Sequence, residues 1–144
     1  MTDEMLLLEN QLCFALVTAA RNVVAAYRPI LAPLGLTHPQ YLVMLALWER
    51  SPRSLTDLAE NIAMDPATAS PLVKRLEGQG LVTRERRAND ERRLDLALTP
   101  EGQALRQKAL EVPAQVAAAT GLSLEQLVAI RDALAPLSGR RAHE

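Results

Sequence analysis

The chain has 144 residues, 49% of them hydrophobic and only 3% aromatic, with a formal charge of −1 and one cysteine. That length holds one domain with a real core, or a small domain plus dimerising helices. The lone Cys13 excludes an intrachain disulfide framework and fits a reducing compartment, no run of about 18 apolar residues spans a membrane, and the basic-then-apolar order of a signal peptide is missing, so a cytoplasmic protein is expected.

Residues 3–27 read as one long helix. Leu8, Leu12, Ala15, Ala19 and Val23 recur at helical spacing, and Cys13, Val17, Ala20, Val24 and Tyr27 follow on a neighbouring stripe. A helix apolar over so wide an arc is buried on more than one side, and a partner subunit is the economical cover. Pro29 is expected to close it. Thr37 caps a second helix, with Pro39 in its first turn and Tyr41, Leu42, Met44, Leu45 and Trp48 as core. After the Ser51-Pro52 turn, a short helix from Leu55 to Ile62 turns Leu58, Ala59 and Ile62 inward.

Asp65-Pro66 starts the helix that organises the chain. The Asp65 carboxylate is expected to cap it, and Pro66 at the first helical position loses no needed donor. Leu72, Val73 and Leu76 form its apolar stripe, while Thr68, Ser70, Lys74 and Arg75 are left to face outward. Gly78 and Gly80 end it. A short strand (Leu81, Val82, Thr83) leads to a charged tip with Arg86, Arg87, Asn89, Asp90, Arg92 and Arg93. Leu94, Leu96 and Leu98 then alternate with Asp95 and Ala97, the period of a half-buried strand. Between residues 74 and 93 seven cations stand against four carboxylates, so a nearly neutral chain has a basic patch.

Two helices joined by a short turn, with groove-facing residues on the second and a hairpin after it, make a winged helix-turn-helix. A helix with small polar residues at its start and cations along one side suits a major groove, and a basic hairpin tip suits a DNA backbone or a minor groove. Thr99-Pro100 opens another helix over residues 100–119, kinked at Pro113, with Leu105, Val112 and Val116 inward. Gly121 ends it, and Ser123 with Gln126 forms a capping box for a last helix to about Leu137. The expected architecture is mainly α with a small β-wing. Residues 1–36 and 100–144 form a helical dimerisation region, and residues 37–99 form the winged helix-turn-helix. The operator is then a pseudo-palindromic duplex bound by a homodimer.

Cofactor and metal sites are not expected. His38 and the tail residue His143 belong to no His/Cys cluster, and no glycine-rich phosphate loop or nucleophile–base set argues for an enzyme. A thiol peroxidase would lack a resolving cysteine. A winged helix that binds protein instead of DNA is a further alternative, against which the charged tip stands.

The central winged helix and the DERR run at Asp90–Arg93 resemble the MarR family of transcriptional regulators. LENQLCF at Leu8–Phe14, YRPIL at Tyr27–Leu31, PQYLVMLALWE at Pro39–Glu49 and SPLVKRLEGQGLVTR at Ser70–Arg84 resemble its organic-hydroperoxide-sensing repressors of the OhrR type. The resemblance implies a cytoplasmic repressor in which Cys13 is the redox sensor, oxidised by an organic hydroperoxide and then condensed with a small cellular thiol. Tyr27 matches a tyrosine that hydrogen-bonds the sensing sulfur across the dimer. The position of a second such tyrosine, between Thr37 and Pro39, holds His38. Neutral His donates one hydrogen bond and protonated His adds charge, so the pocket is retuned or the stimulus differs. Arg92 matches a wing-tip arginine that enters the minor groove. Helix four, Pro66-Ala67-Thr68-Ala69-Ser70, departs from the family's usual start. The alternative within the same fold is a regulator released by a non-covalently bound small aromatic or acidic ligand, with Cys13 structural.

Cys13 and Tyr27 lie 14 residues apart, on one stripe but about 21 Å apart along a straight helix at ~1.5 Å per residue. They meet only if two such helices cross antiparallel. No Lys or Arg precedes Arg21, and the long helix expected over residues 3–27 puts Cys13 far from either end, so hydrogen-bond donors such as Tyr27 are the candidate stabilisers of a thiolate.

Overall fold

The computed structural model describes residues 3–87 and 90–139, with the side chains of 87 and 90–93 outside the described part. The chain forms two compact units, Leu31–Leu110 and the pair of segments Met1–Ile30 and Glu111–Glu144.

The Leu31–Leu110 unit begins earlier and ends later than the expected 37–99 span, because a 3-10 turn at Ala32–Leu34 packs on the helix that starts at Pro100. Its first full helix, α2 (His38–Glu49), is held by a capping box. Thr37 Oγ1 accepts from the Gln40 backbone, and Gln40 Oε1 accepts from the Thr37 amide. Val43, Met44, Ala46 and Leu47 are buried, while Leu45, expected in the core, is 40% exposed. An all-round apolar helix offers no pattern from which its outward position can be read.

A two-residue strand, β1 (Arg53–Ser54), precedes α3 (Leu55–Asn61). It pairs with β3 (Asp90–Leu98), which also pairs with β2 (Val82–Arg87), giving an antiparallel sheet of order β1-β3-β2. Both hairpin strands are longer than expected. Arg86, Arg87, Asp90, Arg92 and Arg93 are therefore strand residues, not a loop, and Arg87 pairs with Asp90 beyond a register shift. Extended pairing satisfies backbone groups at the charged end, which side-chain alternation does not reveal.

The helix α4 (Pro66–Gly78) buries Ala69, Val73 and Leu76 against α2 and α3. The expected Asp65 side-chain cap is not made; the Asp65 backbone carbonyl accepts from Thr68 and Ala69 instead. The C-terminus closes as anticipated at Gly80. Its φ of 78° allows the Leu81 amide to reach the Leu76 carbonyl and the Gly80 amide to reach that of Glu77. The core thus gathers Leu31, Met44, Leu47, Leu58, Val73, Leu76, Val82 and Leu96. The unit ends with α5 (Pro100–Ala109), capped by Thr99.

In the other unit, the single helix expected over 3–27 is replaced by two 3-10 turns, Glu4–Leu6 and Leu8–Asn10, followed by α1 (Leu12–Leu31). Pro29 lies inside α1 and does not end it; its ring is exposed, and the chain stops helically only at Leu31. The helix expected over 100–119 is broken, with α6 (Val112–Thr120) a separate element and Pro113 in its first turn, where a missing N–H costs nothing. The Ser123–Gln126 capping box opens α7 (Leu124–Leu134). Among the described residues, no single helix is long and apolar enough to cross a membrane.

Candidate nucleic-acid interface and sensor site

The sheet and the α4 cap fix which α4 residues face outward. Ala67, Thr68, Pro71, Lys74 and Arg75 are exposed, as is Asp65 just before them, while Ser70 is half-buried. On β2, Arg86 is exposed opposite Leu94. The neighbouring Arg84 is different. Its Nε donates to Glu77 Oε2, so this cation ties β2 to α4 and is not free for a phosphate. The side chains of Arg87, Asp90, Arg92 and Arg93 lie outside the described residues, so their expected DNA contacts rest on strand position alone.

Sequence reasoning missed the groups that set the pose of α4. Arg53 is buried, donating from Nε to Asp57 at 2.8 Å and from a terminal nitrogen to the Ala46 carbonyl at 3.0 Å. The Arg53 and Arg50 guanidiniums hold the Asp57 carboxyl below its usual range. Gln79, at the C-cap of α4, bridges Gln40 and the Gly35 carbonyl. The Thr37–Gln40 spacing of a capping box was the readable signal for Gln40; nothing in the sequence marks Arg53 as buried.

Cys13 stands exposed in the first turn of α1, not in mid-helix as the long-helix reading had it. Helix N-termini favour negative charge. Leu12, Phe14, Val17 and Val23 of α1 are 40–61% exposed, and both apolar stripes read from the sequence lie uncovered on this chain. Tyr27 is half-buried and lines a cavity of about 190 Å³ with Pro113, Val116, Leu124, Leu127, Val128 and Arg131. Burial raises the pKa of its phenol, which keeps the hydroxyl protonated and able to donate. His38 opens α2 in the other unit, half-buried, and burial lowers its pKa. Of the two protonation states open to His38, neutral imidazole is the one its surroundings favour. Among the described residues no cluster of three His, Cys, Asp or Glu side chains is arranged to hold a metal.

The helix-turn-helix of α3 and α4 with its β2–β3 wing coincides with a match to the MarR family model over residues 36–94. Over 127 residues the chain is 39% identical to the organic hydroperoxide resistance transcriptional regulator of Bacillus subtilis, spanning 88% of this chain and 86% of that one. The chain belongs to the MarR family. It is a DNA-binding transcriptional regulator. Two solved structures align with this MarR chain along most of its length. Overoxidised AbfR bound to DNA is 33% identical with a TM-score of 0.74, covering 96% of this chain and 98% of that one. The repressor CouR, of Rhodococcus jostii, bound to a 23-mer duplex is 28% identical with a TM-score of 0.82, covering 93% and 96%.

Proposed function

We propose that this MarR-family regulator is a homodimeric repressor that releases a pseudo-palindromic operator when organic hydroperoxide oxidises Cys13. The observation that carries the reading is the placement of Cys13, exposed in the first turn of a helix whose apolar stripes the chain itself leaves uncovered. A second copy crossing antiparallel would cover those stripes and bring each Cys13 toward the partner subunit's Tyr27, whose protonated hydroxyl is suited to donate to a sulfur anion. The similarity to the Bacillus hydroperoxide regulator supports the oxidant class.

The chemistry balances simply. The thiolate attacks the distal peroxide oxygen, the O–O bond breaks, an alcohol leaves, and the sulfenate takes up a proton. A small thiol then displaces water to give a mixed disulfide. That adduct overfills a packed interface, which costs about 1–3 kcal/mol even for added methylenes. The pair of reading heads then loses the ~34 Å spacing at which α4 of each copy enters successive major grooves. On the DNA side, Thr68, Ser70, Lys74 and Arg75 with Asp65 form the groove face, Arg86, Arg87 and Arg93 meet phosphates, Arg92 enters the minor groove, and Asp90 supports the wing.

The test is operator binding with cumene hydroperoxide, with and without cysteine as the small thiol. AbfR is on DNA in an overoxidised form, so the two conditions are needed to separate further oxidation from adduct formation. Wild-type protein is expected to let go only with peroxide and thiol together, and Cys13→Ser to bind and stay bound. Release by Cys13→Ser would remove the sulfur from the switch. A second reading, release by a small aromatic acid, is favoured by the Tyr27 cavity, whose apolar floor carries Arg131 at its rim. Under it, Cys13→Ser protein would still respond to the acid.

A further inference from the structure

The outward face of α4 has an uneven chemistry. Its cations, Lys74 and Arg75, lie in the last turns, while its first two turns present Ala67, Thr68 and Pro71. Between residues 62 and 73 there is no Lys, Arg, Asn or Gln. The side chains that read guanine or adenine bidentately are thus missing from the part of a recognition helix that reaches base edges. What this part offers instead is apolar. Ala67 and Pro71 are both exposed and one helical turn apart, so they share a face. Pro71 also has no N–H to give to the Ala67 carbonyl, and its exposed ring serves no packing role within the chain.

An exposed methyl and an exposed pyrrolidine beside a hydroxyl match one feature of the major groove, the C5-methyl group of thymine, with the Thr68 hydroxyl able to pair with an adjacent base edge. Two side chains four residues apart lie about 6 Å apart along the helix at ~1.5 Å per residue, close to two base steps at ~3.4 Å. We infer that Ala67 and Pro71 are specificity-determining residues that read two thymine methyls about two base steps apart in each operator half-site. This deepens the placement of α4 in the major groove and rests on it.

The experiment starts from duplexes selected by the full-length reduced protein from a randomised pool. The selected half-sites are expected to share thymines at that spacing. Replacing each of those thymines by deoxyuridine removes the methyl and keeps the base pair, and is expected to weaken binding roughly fourfold per contacted position, the worth of one buried methyl-sized group. Pro71→Ala should erase the thymine–deoxyuridine difference at one position and leave the other. Lys74→Ala should weaken thymine and deoxyuridine duplexes alike. If deoxyuridine changes nothing while Lys74→Ala still weakens binding, the methyl reading is wrong and the groove placement stands. If Lys74→Ala also changes nothing, the groove placement itself falls, and this inference with it. Half-sites selected without shared thymines overturn it as well.

Discussion

The side-chain amide of Gln40 donates to Oε1 of Gln79 at 3.1 Å, and the Gln79 amide in turn donates to the Gly35 carbonyl at 2.7 Å. Gln40 is buried and its other end accepts from Thr37, so a two-glutamine chain joins the start of α2 to the C-cap of α4. Removing Gln79 leaves a buried donor on Gln40 without that partner. We expect Gln79→Ala to cost about 1 kcal/mol, moderated by water reaching the exposed Gln79 site, and Gln40→Ala about 1–3 kcal/mol. A double-mutant cycle from urea melts should return a coupling of at least about 0.5 kcal/mol. Additive losses would show that the chain does not act as a unit.

Gly102 marks a second fixed joint. A Cβ there would lie 2.1 Å from the Leu81 carbonyl oxygen, a backbone atom that cannot swing aside. The Gly102 carbonyl also accepts from Trp48 Nε1 at 2.9 Å. Gly102→Ala must push α5 off the turn after α4, and should lower stability by about 2 kcal/mol or more. Because the chain has one tryptophan, its emission reports the lost indole bond directly. A variant with wild-type melting and emission would mean that α5 shifts freely.

These joints explain what was readable in the chain and what was not. Helix starts were legible wherever a hydroxyl precedes the helix, as at Thr37, Thr99 and Ser123, because the capping chemistry is local. The α4 terminus was legible in Gly80 for the same reason. The break between α5 and α6, the uncapped start of α4 and the burial of Arg53 were not. Each is decided by a partner distant in sequence or by a backbone group that side-chain pattern does not report. At the candidate site, the exposed face of α4 could be read from its stripe, whereas the pairing of Arg84 with Glu77 required the register of β2.

Acid should weaken the fold in two steps of the same sign. Burial lowers the His38 pKa from 6.5, so the unfolded chain binds its proton first. The stability contributed by neutral His38 is complete above pH 6.5 and declines as pH falls from there toward the folded-state value. Asp57, lowered from 3.8 first by Arg53 and then by Arg50, contributes above pH 3.8 and loses its share as pH falls through its folded value. Its side chain is 41% exposed, so screening leaves the loss modest. An NMR titration should place the His38 midpoint below 6.5, and His38→Asn should flatten the stability slope just under that pH. An unchanged slope would assign it to other groups. Asp57→Asn should instead flatten the lower limb and, by leaving Arg53 buried without its carboxylate, cost roughly 1–2 kcal/mol at neutral pH.

Salt dependence separates cations that grip DNA from those that hold the protein together. Each phosphate contact adds about 0.9 to the slope of log affinity against log salt. Lys74, Arg75 and Arg86 are exposed, with Arg86 on the strand that leads to the wing. Arg84 is turned back on Glu77. Arg86→Ala is therefore expected to reduce the slope by about one contact, and Arg92→Ala to weaken binding if the wing enters the minor groove. Arg84→Ala should leave the slope nearly unchanged and instead lower stability by up to about 1 kcal/mol, as a part-exposed pair does. The measurement is fluorescence anisotropy across a salt series with each variant. An Arg84 variant that loses a full contact while Arg86 loses none would reverse the assignment of the β2 arginines, and with it the side of the hairpin that faces DNA.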